Sequence, residues 1–274
     1  MKKLLSILLF VCATAQAQQG SYALYDYDRA EYQVAHDIDV VRPIASISKL
    51  FTAVTVLRSG ADLTEKVKVK GKSSGHFPNG TLVSRQDLLH AMLVASDNRA
   101  AETLANTYPG GFAEFIKDAN EFIRGRGLLH TSIEEPTGLS PNNVSTASEL
   151  ISFLGAIQDN MELRNYADDR TAEILIPKGK KTIHILLHNT NPSIFKFDNI
   201  LISKTGFTSP AGRCVVMLVE KEHRHYGVLV LGQKNVKARS EIANDLIKAE
   251  PLPPKPPATV TVPTEPIQFN WNPF

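Results

Sequence analysis

Cysteine is almost missing from this chain: two in 274 residues, and one of them, Cys12, lies in an N-terminal stretch that reads as removable. With that stretch cleaved, Cys214 stands alone and no intramolecular disulfide can form, so stability must come from the core. Cys214 runs into Val215-Val216-Met217, the pattern of a buried strand residue and not of a reactive thiol. A surplus of one charge is missing too. The formal net charge of +2 is supplied by Lys2 and Lys3, and without them 28 basic residues face 28 acidic ones, which excludes nucleic acid as the expected partner. Four of the eight histidines fall in the pairs His184/His188 and His223/His225, with no HExxH context and no further ligands beside them, so no metal is expected.

What is present begins with a leader. Met1-Lys2-Lys3 is basic, Leu4 to Ala13 is apolar or small and too short to span a bilayer, and Ala15-Gln16-Ala17 offers a cleavage site. Residues 1–17 are therefore expected to be a signal peptide, and the mature chain to reside in the periplasm. Phe10-Val11 before Cys12 lacks the small residue usual before a lipidated cysteine. At the other end, eight of the 16 prolines fall in the last 24 residues, so 251–274 is expected to form a loose, extended tail. Trp271 and Phe274 could dock a partner there, but the tail has no basic amphipathic face, and no stable membrane anchor is expected.

Between these ends, Ser21 to Val34 alternates around Asp26-Tyr27-Asp28-Arg29 and reads as a hairpin. Lys66-Val67-Lys68-Val69-Lys70 alternates with period two, either a lysine-guarded edge strand or a basic face for an anionic glycan. Ser84-Arg85-Gln86-Asp87 resembles a capping box before an apolar helix. Phe112, Phe115, Ile116, Ala119, Phe122 and Ile123 recur at helical spacing and are expected in the core. Helical character spans 84 to 157, with a helical lobe of roughly 61–160. From about Thr171 short strand-like runs take over, the last two joined at Lys221 to His225, and a helix from Ala238 closes the domain, 18–250 in all.

The stretch Ala45-Ser46-Ile47-Ser48-Lys49-Leu50 organises the rest. Proline upstream and Ser59-Gly60 downstream bracket a helix, on which Ser46 and Lys49 share a face about 5–6 Å apart. An amine beside a hydroxyl suits a serine nucleophile that has no histidine for a base. A helix-capping serine followed by a solvated lysine would look the same. Ser48 is the competing hydroxyl, although neighbours in sequence do not face each other on a helix. Two further pieces stand in suitable places: Ser96-Asp97-Asn98 on a short link between helices, and Lys204-Thr205-Gly206 ending the strand Ile200-Leu201-Ile202-Ser203. S-x-x-K, S-D-N and K-T-G in this order mark class A β-lactamases and penicillin-binding proteins.

With Glu135-Pro136-Thr137-Gly138-Leu139-Ser140 and Phe207-Thr208 up to Ala211-Gly212-Arg213-Cys214, the chain from about 20 to 250 resembles the low-molecular-mass penicillin-binding serine DD-peptidases, their D-alanyl-D-alanine endopeptidases in particular. The resemblance implies an α/β (α+β) fold of the serine β-lactamase/DD-peptidase type. A five-stranded antiparallel sheet is flanked by helices, a helical lobe is inserted, and the active site lies between the two. It implies no cofactor, peptidoglycan peptide cross-links as substrate, and β-lactams as covalent inhibitors. Ser46 would be the nucleophile and a neutral Lys49 its base, lowered by burial and by the cation of Lys204. Ser96 would relay a proton, Asn98 would hold Lys49 and substrate, and the N–H groups of Ser46 and Phe207 would form an oxyanion hole, worth about 3–4 kcal/mol per donor. Gly206 would leave room for substrate, Thr205 and Thr208 would offer hydroxyls, and Arg213 would bind a carboxylate. Two departures stand out. His188-Asn189-Thr190-Asn191 occupies the segment where relatives often carry arginine, and no hydrolytic glutamate of the class A β-lactamase kind is expected: Glu134 and Glu135 meet Gly138 and Leu139 four residues on, and Asn165 follows Glu162 one residue too soon. A DD-carboxypeptidase, a β-lactamase and a non-catalytic cell-wall-binding module are the alternatives.

Overall fold

A computed structural model describes residues 20–178 and 181–252. The leader, with Cys12, and the tail from residue 253, with Trp271 and Phe274, lie outside the described residues. In chain order the strands are β1 (Ser21–Asp26), β2 (Glu31–His36), β3 (Arg42–Pro43), β4 (Lys66–Lys68), β5 (Leu82–Ser84), β6 (Val144–Ser145), β7 (Thr171–Lys178), β8 (Lys181–His188), β9 (Ile200–Thr208), β10 (Gly212–Lys221) and β11 (Arg224–Gln233). The helices are α1 (Ser48–Arg58), α2 (Arg85–Val94), α3 (Asn98–Asn106), α4 (Gly111–Gly125), α5 (Ala147–Ile157), α6 (Met161–Ala167) and α7 (Val236–Lys248), with 3-10 turns at Ala45–Ile47 and Pro192–Phe195.

The main sheet has five strands in the order β2-β1-β11-β10-β9, with each neighbouring pair antiparallel. Its first strand thus pairs with its last, Ser21 against Leu231. Both faces are covered, so β10 is apolar almost throughout and not alternating. Val215, Met217 and Val219 join Val228 and Val230 under Ala243, Leu246 and Ile247 of α7. Cys214, Val216 and Leu218 face the other way, into the larger core with Leu50, Phe51, Phe153 and Leu154 of α1 and α5. The β10–β11 turn is two residues long, and Glu222 and His223 both have positive φ (49° and 60°), the conformation a tight hairpin requires.

Local signals explain most of the element starts. Ser84 caps α2 by accepting from the N–H of Asp87, and Thr146, Asn160 and Asn235 do the same for α5, α6 and α7. The lysine strand β4 buries Val67 and turns Lys66 and Lys68 to solvent, pairing only with β5. One expectation changes. Phe112 is 41 % exposed, because it enters α4 in the first turn, ahead of the buried face made by Phe115, Ala119 and Ile123. The runs at 174–176 and 182–187 do not extend the main sheet: β7 and β8 form a hairpin of their own. Among the described residues no helix is long and apolar enough to cross a membrane.

Candidate active site

Ser46 does not begin a helix by capping it, as its sequence position suggests. It sits in the 3-10 turn ahead of α1, and no side-chain cap is made there. The cause lies 93 residues away. Gly138, at φ +83°, packs so closely on Ala45 that any Cβ there would overlap the Ala45 carbonyl oxygen, and Ala45 itself is held at φ +47°. Gly206 presses from the sheet side, where a Cβ would stand 2.9 Å from the Ser46 nitrogen and 3.0 Å from the Ile44 oxygen. Gly206 therefore lets β9 reach the nucleophile's turn, a tighter role than leaving room for substrate. As a first-turn residue, Ser46 keeps an N–H with no partner within its own turn.

Lys49 is fully buried, and its Nζ lies 2.9 Å from Ser46 Oγ, 2.6 Å from Asn98 Oδ1 and 2.6 Å from the Thr137 carbonyl oxygen. A neutral amine has two N–H groups and one lone pair. The two short bonds to Asn98 and Thr137 use the N–H groups, which leaves the lone pair for the Ser46 hydroxyl. Burial lowers Lys49 from 10.5 to about 7, against the opposing pull of Glu135, Asp97 and Glu102. Ser48 is excluded as the rival hydroxyl: wholly buried, it donates to Ala45 O (2.7 Å) and accepts from Asn143 Nδ2 (2.9 Å).

Lys204 is also buried, and its Nζ donates to the Thr205 carbonyl oxygen at 3.0 Å. Burial lowers it well below its ordinary value, and the cations of Lys49 and Arg239 add to this. Burial is the leading cause of the lowered Lys49, and the two buried amines repel each other. Ser96 lies between α2 and α3 at φ +58°, and its hydroxyl makes no hydrogen bond with a described residue.

On the far side of β9, Phe207 is 49 % exposed and Arg213 stacks its guanidinium 3.5 Å above the ring. No carboxylate of a described residue pairs with Arg213. Thr205 Oγ1 is held by Thr190 Oγ1 at 2.6 Å, and Thr208 Oγ1 accepts from the Ala211 N–H, closing the β9–β10 turn.

The sequence profile of the peptidase family described as D-alanyl-D-alanine carboxypeptidase matches residues 10–235. The chain belongs to that family. The D-alanyl-D-alanine endopeptidase of Escherichia coli is 37% identical over 221 residues, 77% of this chain and 70% of that protein. That of Pseudomonas aeruginosa is 37% identical over 206 residues, 72% and 66% of the respective chains. Among solved structures, penicillin-binding protein D2 of Listeria monocytogenes in its cefotaxime-bound form superposes with TM-score 0.72 at 26% identity, covering 83% of this chain and 95% of that one. The Streptomyces K15 DD-transpeptidase shares the fold, with TM-score 0.77 at 22% identity over 83% and 94%.

This D-alanyl-D-alanine carboxypeptidase family member also uses residues to which the sequence reading gave no role. Glu135 accepts hydrogen bonds from the N–H groups of Thr137, Gly138 and Ser140 and from the Thr137 hydroxyl, folding the loop that presents the Thr137 carbonyl to Lys49. Asn143 ties that loop to Ser48 and to the Glu135 carbonyl. A glutamate before Pro-Thr-Gly is the signal that pointed there; a backbone carbonyl leaves none. In the segment where relatives carry arginine, Asn191 caps the 192–195 turn and donates to Ser203, and His188 is exposed at the end of β8.

Proposed function

We propose that this chain is a serine DD-endopeptidase of the periplasm that cuts D-Ala-containing cross-links in peptidoglycan through an acyl-enzyme, and that penicillin acylates it. The observation that carries the reading is a buried, depressed lysine 2.9 Å from the hydroxyl of Ser46. The proton of Ser46 Oγ passes to neutral Lys49 as Oγ bonds to the carbonyl carbon of D-Ala. The oxyanion faces the N–H groups of Ser46 and Phe207, beside the point where Gly206 brings β9 against the turn. The C–N bond then breaks, and the proton held by Lys49 goes to the departing amine by way of Ser96. Water, deprotonated by Lys49, releases the acid and regenerates Ser46. Asn98, Lys204, Thr205, Thr208 and Arg213 hold the peptide and its carboxylate. The leader fits export to the compartment where this substrate lies, with residues 18–250 as the catalytic domain.

A carboxypeptidase would use the same groups. The relatives named endopeptidase, at 37% identity, favour the endopeptidase, and the Glu-x-x-x-Asn at Glu102 to Asn106 lies within α3 with its carboxylate bound to Ser73, which disfavours a β-lactamase. Digestion of purified sacculi separates the readings. The endopeptidase converts cross-linked muropeptide dimers to monomers; loss of terminal D-Ala with dimers intact would make it a carboxypeptidase. Labelled penicillin is expected on Ser46 by peptide mapping, and Ser46→Ala is expected to remove it with the fold kept. Label on Ser48 or Ser96 would overturn the assignment of the nucleophile.

A further inference from the structure

Ser96 rests at φ +58°, in the left-handed region that a non-glycine residue adopts only at a cost. Its link to Asn98 must therefore be fixed by something outside itself. The loop 73–77 does this. The Arg99 guanidinium donates to the carbonyls of Ser73 (3.0 Å) and Phe77 (2.7 Å), and the Arg99 N–H donates to Ser74 O. Gly75 lies so close that a Cβ would stand 2.5 Å from both Asp97 Oδ1 and Arg99 Cβ. The side chain of Asp97 has no exposed surface. One of its oxygens caps α3 at the Ala100 N–H (2.7 Å); the other accepts from the backbone N–H of His76 (2.5 Å) and from the imidazole Nδ1 (2.8 Å). Since a carboxylate only accepts, Nδ1 carries the proton.

We propose that His76 is a positioning residue for acylation: donating twice to one oxygen of buried Asp97, it fixes the Ser96–Asp97–Asn98 link and so the amide that grips Lys49. This rests on the acyl-enzyme reading above. Asn98 Oδ1 sits 2.6 Å from Lys49 Nζ, and a displacement of about 1 Å at such a contact slows a reaction on the order of 100-fold. Asp97 also favours the protonated form of Lys49. Without the imidazole its charge is less compensated, and Lys49 becomes harder to deprotonate. Besides Asp97, the charged groups facing the 73–77 loop are Arg99 and Glu102 of α3, bound to Ser73 and, for Arg99, Phe77, while Lys66 shares with His76 the groove lined by Ile176, Ile183 and Ile185.

The test compares His76→Ala with His76→Asn, whose amide can replace the Nδ1 donor. Acylation by a fluorescent penicillin is followed from pH 5.5 to 9.5, beside thermal melts. The expected result is a loss of about 10- to 100-fold in acylation rate for His76→Ala, its acid limb moved to higher pH, and recovery to within about threefold in His76→Asn. An unchanged rate in His76→Ala, or equal loss in both variants, would overturn the proposal, the latter assigning the effect to packing. If His76→Ala does not fold, His76→Leu, which fills the volume without a donor, takes its place against His76→Asn. A wild-type chain that takes no label removes the reaction itself, an outcome distinct from normal labelling of the variant.

Discussion

Replacing Lys49 with methionine should change stability with a sign that depends on pH. The buried amine titrates at about 7 in the folded protein against 10.5 ordinarily. Its folded value lies below its unfolded one, so between these limits the unfolded chain binds more protons and the wild type gains stability as pH rises. By linkage, keeping Lys49 buried costs about 4 kcal/mol at pH 7 but only about 1 kcal/mol at pH 9.5. Methionine removes that term. It also takes the donor from Asn98 Oδ1 and Thr137 O and the hydrogen-bond partner from Ser46 Oγ, a loss of about 1 kcal/mol each. The variant should therefore be more stable than wild type by about 1 kcal/mol at pH 7 and less stable by about 2 kcal/mol at pH 9.5. Lys204 titrates in the same direction in both proteins, and relief of its repulsion adds to the gain at low pH. Urea unfolding at the two pH values measures both differences, and each kcal/mol also moves the melting temperature by about 2–4 °C. A difference of constant sign and size across this range would show that Lys49 is not depressed, and the argument for it as the base would fall.

Glu135→Gln removes the first-named anion that favours protonated Lys49, so the acid limb of the acylation profile should move to lower pH; movement the other way would refute the electrostatic part of this account. Gly206→Ala sets a methyl against backbone atoms of Ile44 and Ser46, and should cost about 1–3 kcal/mol and at least tenfold in penicillin acylation, whereas Gly125→Ala in α4, which meets nothing within 4 Å, should be neutral or stabilising in the same assays. After a stoichiometric dose of penicillin, intact-mass spectrometry should show the adduct outlasting many natural turnovers, because the leaving group stays tethered where water must enter; rapid loss of the adduct with continuing drug hydrolysis would point to a β-lactamase.

Ser46 and Lys49 were legible because three-residue spacing brings two side chains together in a 3-10 turn as well as in an α-helix. The Ser84 cap and the alternation of β1 and β4 were legible for the same reason: each is a rule about neighbours in the chain. What stayed hidden is non-local. The turn at Ala45 is imposed by Gly138, and the β7–β8 hairpin stands apart because a strand's partner cannot be read from its own residues. The acceptor that saturates Lys49 is a main-chain oxygen, for which Thr137 as a residue type gives no hint. Why Lys204 is depressed follows from how deeply it lies, which only the packed molecule shows.

The pairing of Ser21 with Leu231 also governs when the molecule can come into being. A chain growing from its N-terminus makes β1 and β2 first, yet they can only form a lone hairpin until β11 arrives some two hundred residues later. Such distant contacts make closure slow and late. Gly206 of β9 meets the turn of Ser46 from the same sheet, so a chain cut ahead of it holds Ser46 and Lys49 without that side of their enclosure. Any truncation before β11 leaves β1 with an open edge. A hydrolase built this way stays silent until its synthesis is all but complete.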